Sequence, residues 1–152
     1  MRGITLLEII MVVAILISLS AAAIPIFGNL QPATQLNEEV SQIIQTLRIA
    51  QVRSVARLNN SAHGVFFEIN PGPDRFILYQ GPDFSFRNSN FDRIIKLSDS
   101  LSFSTQLSST GTDVNFAKGV GTSSTTGLIT VTSGISGSKI IKINAAGSIE
   151  KE

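Results

Sequence analysis

The chain has 152 residues, one histidine, no cysteine and a formal net charge of +1. The missing cysteines exclude disulfides and thiolate metal sites, and the near-neutral balance implies no strong global attraction to nucleic acid. The length suits one domain and one further segment. The first 31 residues read MRGITLLEIIMVVAILISLSAAAIPIFGNLQ, and after Arg2 the single charge before Glu38 is Glu8. A bilayer-spanning helix needs about 20 apolar residues, so this run predicts one. A carboxylate near its start is costly in hydrocarbon and calls for a reason. Three plainer readings compete. One is a secretory signal peptide with Ala21-Ala22-Ala23 at its cleavage site, which this run exceeds in length. The others are a simple single-span anchor and a buried core helix, which a body this small has little room for. Arg2 precedes the run and the next basic residue is Arg48, so the charge pattern predicts a cytoplasmic N-terminus and an external body.

Gly3-Ile4-Thr5-Leu6-Leu7-Glu8 resembles the processing site of type IV prepilins and of the pseudopilins of type II secretion. The resemblance implies cleavage after Gly3 by a prepilin peptidase, N-methylation of Ile4, and Glu8 as the fifth mature residue. It also implies that Glu8 meets the new amine of a neighbouring subunit during assembly, and Pro25 matches a proline common in the family's apolar segment. Two departures stand out: Ile4 occupies a position where phenylalanine is usual, and the leader Met1-Arg2-Gly3 is short enough to suggest a start codon upstream. The implied organisation is a leader at 1–3, a transmembrane and assembly helix at 4–30, and an extracytoplasmic body at 31–152. The implied location is the inner membrane, single-pass, followed by an extracytoplasmic filament. The implied partners are the prepilin peptidase, other pilin or pseudopilin subunits and an inner-membrane assembly platform.

From Leu36 the pattern turns amphipathic. Leu36, Val40, Ile43, Leu47, Ala50 and Leu58 recur at mostly three- and four-residue steps, with Ile44 and Val55 widening the stripe. Pro25 predicts a kink, and Gly28, Asn29 and Pro32 weaken the helix nearby. The expectation is one long, broken helix from about Thr5 to about Leu58, ending before Asn59-Asn60-Ser61. Strands follow. Gly64–Ile69 and Arg75–Tyr79 flank a Pro/Gly-rich turn and predict a hairpin. Further strands are expected at Arg93–Leu97, Leu101–Thr105, Val114–Ala117, Leu128–Thr132 and Lys139–Asn144, with a short edge at Ser148–Glu150. Gly81–Asn90 and Gly119–Thr126 are rich in turn-forming residues and read as loops.

The segment Leu47–Asn60, followed by Val114-Asn115-Phe116, Gly127–Val131, Ile141–Asn144 and Gly147, resembles the H-type minor pseudopilins and the FimT-type minor pilins. That resemblance implies an α+β, pilin-like fold: a long, kinked N-terminal helix, membrane-spanning and then amphipathic, packed on an antiparallel β-sheet domain.

Nothing in the sequence points to an enzyme, a cofactor or a metal site. His63 stands alone in a turn context, and Gly119-Val120-Gly121 lacks the lysine of a phosphate loop. Asp83, Asn88, Asn90 and Asp92 miss the spacing of a calcium loop. FimT-type pilins are associated with DNA uptake, which makes DNA an alternative partner. Candidate phosphate contacts are Arg48, Arg53, Arg57, Lys139 and Lys142, with Arg75, Arg87, Arg93 and Lys96 as a looser group. Interleaved acids such as Asp74, Asp83, Asp92 and Asp99 favour local pairing and solubility instead. The leading expectation is a structural subunit of a type IV pilus or type II secretion-type filament. An unrelated single-span protein with an external β-domain is the third reading.

Overall fold

The computed structural model describes residues 5–69, 73–108 and 111–152, with the side chains of 21–31 left aside. Helix α1 runs Leu6–Val55. Eight strands follow: β1 His63–Glu68, β2 Arg75–Gln80, β3 Arg93–Lys96, β4 Leu101–Leu107, β5 Asp113–Phe116, β6 Gly127–Ser133, β7 Gly137–Ile143 and β8 Ile149–Lys151. Each lies within two residues of a segment that β-branched and aromatic composition marks in the sequence, because such side chains fit a pleated, half-buried surface. The β1–β2 hairpin forms with Val65 opposite Leu78 and Phe67 opposite Phe76. Asn70, Pro71 and Gly72 of its expected turn lie outside the described residues.

The expected architecture needs correction on two counts. Instead of one sheet there are two antiparallel sheets of four strands, ordered β3-β2-β1-β5 and β4-β6-β7-β8. The chain crosses from the first sheet to the second at β4, returns for β5 and crosses again to β6. Second, the helix is not the kinked, membrane-spanning rod that the apolar run predicts. Side chains are described for 6–20 and 32–55, and among the described residues no helix is long and apolar enough to cross a membrane. The part at 32–55 is too polar, with Glu38, Glu39, Arg48 and Arg53 on it. The single-pass inner-membrane placement falls with that segment. Pro25 and its predicted kink lie among the residues whose side chains are not described.

The core forms where the amphipathic half of α1 meets both sheets. Leu36, Val40, Ile43, Ile44, Leu47 and Ala50 are buried, as the stripe predicts. Leu58 and Val55 are not: both are about half exposed, Val55 as the last residue of α1 and Leu58 because it follows Arg57, which turns into the left-handed region at φ 54. Past that turn the helical periodicity no longer specifies a face. Phe67 and Phe76 of the first sheet meet Phe103 of the second, with Phe67 and Phe103 edge to face at 5.5 Å. Buried Asp74 ties the sheets by accepting the Phe103 N–H at Oδ2, 2.8 Å, while its carbonyl accepts the Leu97 N–H. On the other side Gln51 of α1 donates from Nε2 to the carbonyls of Gly121 and Gly147, each at 3.0 Å. One helix side chain thereby holds the loop after β5 and the turn before β8.

Candidate functional site

The start of α1 is specified locally. Thr5 is extended (φ −86°, ψ 151°) and its Oγ1 accepts the Glu8 N–H at 3.3 Å. Thr5 and Glu8 have the spacing of a capping box, and an acid in the first turn also meets the positive end of the helix. Glu8 thus has a role within its own chain, besides any partner that it meets elsewhere. Gly3 and Ile4, the expected cleavage and methylation residues, lie outside the described residues.

Beyond Glu8 the helix presents apolar side chains on every side. The large ones from Leu6 to Leu19 are 47% to 78% exposed. Ser18 and Ser20 do not interrupt this surface, because their hydroxyls donate back to the carbonyls of Ala14 and Leu16, both at 2.8 Å. Contiguous apolar surface of this kind marks an interaction site rather than ordinary surface.

The candidate DNA contacts are not drawn onto one face. Arg48 is exposed and Arg53 half-buried, and five residues apart they diverge by about 140° around the helix. Arg57 lies past the helix end with its guanidinium against Gly119. Lys139 and Lys142 sit three residues apart on β7 and so point to opposite faces, Lys142 beside Glu150 of β8. In the looser group, Arg75 pairs with Glu68, and Arg87 pairs with Asp92 at 2.7 Å while its guanidinium covers the Phe84 ring at 3.7 Å. The loop oxygens that miss the calcium-loop spacing bond within their own loop: Asp83 accepts the Phe86 N–H and Asn88 accepts the Asn90 N–H.

Two buried polar clusters fall outside the expected site residues. On the outer side of the first sheet, Tyr79 donates its hydroxyl to Asp113 Oδ1 at 2.7 Å, and Asn115 Nδ2 donates to the Tyr79 oxygen at 2.9 Å. Asp113 Oδ2 accepts the Phe84 N–H, and Phe84 stacks on Phe66 at 3.7 Å, so the loop after β2 is clasped onto the sheet. Burial raises the Asp113 carboxyl above the usual carboxylate range, although the Tyr79 and Phe84 bonds oppose the shift. Burial likewise raises the Tyr79 phenol, helped by the charge of Asp113.

The second cluster centres on His63, which opens β1 rather than lying in a turn. Its backbone N–H donates to Ser54 Oγ at 2.8 Å and its carbonyl accepts from the same hydroxyl at 3.3 Å. These bonds pin the strand to the last turn of α1 and hold the imidazole at 2% exposure. Burial lowers its pKa, and the nearby positive charge of Arg53 lowers it further. The available signal was periodicity: His63, Val65 and Phe67 alternate along one strand, so the histidine belongs to the inward face. A cavity of about 250 Å³ adjoins it, lined by Arg53, Leu58, Asn59, His63, Tyr79, Gln80 and Phe91.

Comparison of the chain with protein-family models, with characterised proteins and with solved structures finds no match.

Proposed function

We propose that this chain is a subunit of a type IV pilus or type II secretion-type filament, cut after Gly3 by a prepilin peptidase and assembled through its N-terminal helix. One observation carries the reading. The body completes its core with residues 36–50 of α1, yet the same helix extends an apolar stretch, Leu6 to Leu19, whose large side chains stay exposed among the described residues. Burying a large aliphatic side chain contributes about 1.5–3 kcal/mol, so packing these stretches together is a strong drive to associate. The lone acid within the stretch, Glu8, supports the reading as well. A carboxylate among packed apolar helices is tolerated when a cation meets it, and cleavage after Gly3 creates one at the Ile4 amine.

The test is the intact mass and N-terminal sequence of the protein produced with and without a prepilin peptidase. A peptidase-dependent start at methylated Ile4 is the expected result. A retained Met1, or a cut near Ala23, overturns the proposal. Glu8→Leu then separates the two roles of the acid: processing persists and incorporation into filaments is lost, whereas normal incorporation removes the amine pairing.

A further inference from the structure

The outer side of α1 carries two charges without partners among the described residues. Glu38 and Arg48 are both exposed, and neither forms an ion pair or a side-chain hydrogen bond there. Neither has an opposite charge three or four positions away, where a helix would pair it. Glu39 differs from its neighbour: it is half-buried, and its Oε1 accepts the Ser98 hydroxyl at 2.6 Å. An open groove of about 630 Å³ follows the helix from Thr34 to Gln45, past Glu38. Beyond Arg48, Val52 and Val55 are 65% and 48% exposed, so the outer side ends in apolar surface.

The two charges complement each other on different copies. They lie ten residues apart, about 15 Å along the axis, and cannot meet within one helix. A parallel neighbour displaced by that distance brings its Glu38 beside Arg48 of the first copy. We infer that Glu38 and Arg48 pair between neighbouring copies of this chain and fix the axial register of their helices. The inference rests on the filament reading, in which the Leu6–Leu19 stretches pack side by side. Beyond Glu8 those stretches are apolar on every side, and such surfaces pack at many offsets with similar energy. Charge pairs flanking an apolar seam select one partner and one offset, as they do between the helices of a coiled coil. The geometry also decides the symmetry. At 3.6 residues per turn the two charges stand about 80° apart around the axis. A two-fold dimer needs both on one narrow seam, because each copy then uses both against the same partner. Separate seams suit a head-to-tail contact, in which one neighbour meets Glu38, another meets Arg48, and the series does not close. The same step sets Gln42 of one copy beside Val52 of the next, one turn beyond the charges.

The experiment uses the full chain, produced in membranes together with a prepilin peptidase. The chain has no cysteine, so Gln42→Cys combined with Val52→Cys reports the contact cleanly while both charges are kept. A short bismaleimide is expected to link this variant into a ladder of dimers, trimers and longer products, and either single change gives no ladder. On that background Arg48→Glu sets two acids against each other and is expected to lower the yield about five-fold. Adding Glu38→Arg restores it. All four positions are exposed on the helix, and limited proteolysis checks that the body stays folded. A missing ladder overturns the inference. So does a product that stops at the dimer, a yield indifferent to Arg48→Glu, or failure of the double reversal to restore it. The N-terminal mass of the same samples keeps the two readings apart. A start at methylated Ile4 without a ladder removes the register contact alone, whereas a retained Met1 removes the filament reading whatever the ladder shows.

Discussion

Replacing Gln51 with leucine tests whether the two sheets are locked to the helix through a single amide. The side chain is half-buried and donates to two backbone carbonyls, Gly121 and Gly147, at 3.0 Å each. Leucine keeps the approximate volume and a similar helix propensity, so the change removes donors rather than bulk. Each lost bond costs about 1 kcal/mol, which gives a destabilisation of about 2 kcal/mol. In urea that corresponds to a midpoint about 1 M lower, for a slope of about 2 kcal/mol/M. The assay is equilibrium urea unfolding followed by circular dichroism, with amide exchange read at residues 119–123 and 145–148. Gly147→Ala supplies the second arm. Gly147 sits at φ +82°, and a Cβ there would run into the Gly121 carbonyl and the Gln51 amide. Because both changes break the same junction, the double variant should lose less than the two singles added together. A Gln51→Leu midpoint within about 0.25 M of wild type, or strict additivity with Gly147→Ala, would refute the reasoning.

Phe67→Ala removes the ring that bridges the sheets, fully buried and in contact with both Phe76 and Phe103; a loss of about 3–5 kcal/mol should appear in thermal or urea unfolding. Gly64→Ala places a Cβ against the buried Tyr79 hydroxyl, so that ring must shift and its bond to Asp113 breaks. A cost of about 1–3 kcal/mol is expected, with faster amide exchange at Phe84, whose N–H depends on the same carboxylate. For Asp113 the folded carboxyl titrates above its unfolded value. Its contribution to stability is therefore fully present below the unfolded pKa and is lost as pH rises through the folded one. Wild type should accordingly gain stability relative to Asp113→Asn as pH falls from 7 to about 3, measured by paired urea titrations. A constant difference across that range contradicts the burial argument.

Local chemistry explains what the sequence discloses. The stripe from Leu36 to Ala50 is legible because a helix repeats every 3.6 residues, and Leu36, Val40, Ile43, Leu47 and Ala50 are all buried. The strands are legible because short β-branched and aromatic runs alternate with Gly-, Asn- and Pro-rich breaks. The apolar count of the first 31 residues was a poorer guide. Hydropathy registers how many apolar residues follow one another, yet among the described residues no helix is long and apolar enough to cross a membrane. Extending the stripe to Leu58 failed for a related reason, since the left-handed Arg57 precedes it and periodicity carries no notice of it.

The sequence by itself determined the elements: one amphipathic helix, eight strand segments and an apolar N-terminal stretch with a lone acid. These depend on neighbours a few residues apart, where propensity and spacing act. Only the tertiary structure decided that the strands divide into two sheets, and that Gln51 reaches carbonyls 70 and 96 residues away. It also decided that His63 is buried beside the positive charge of Arg53. Strand pairing, burial and charge proximity are set by closure of the whole chain around its core, and no local pattern encodes which distant groups that closure brings together.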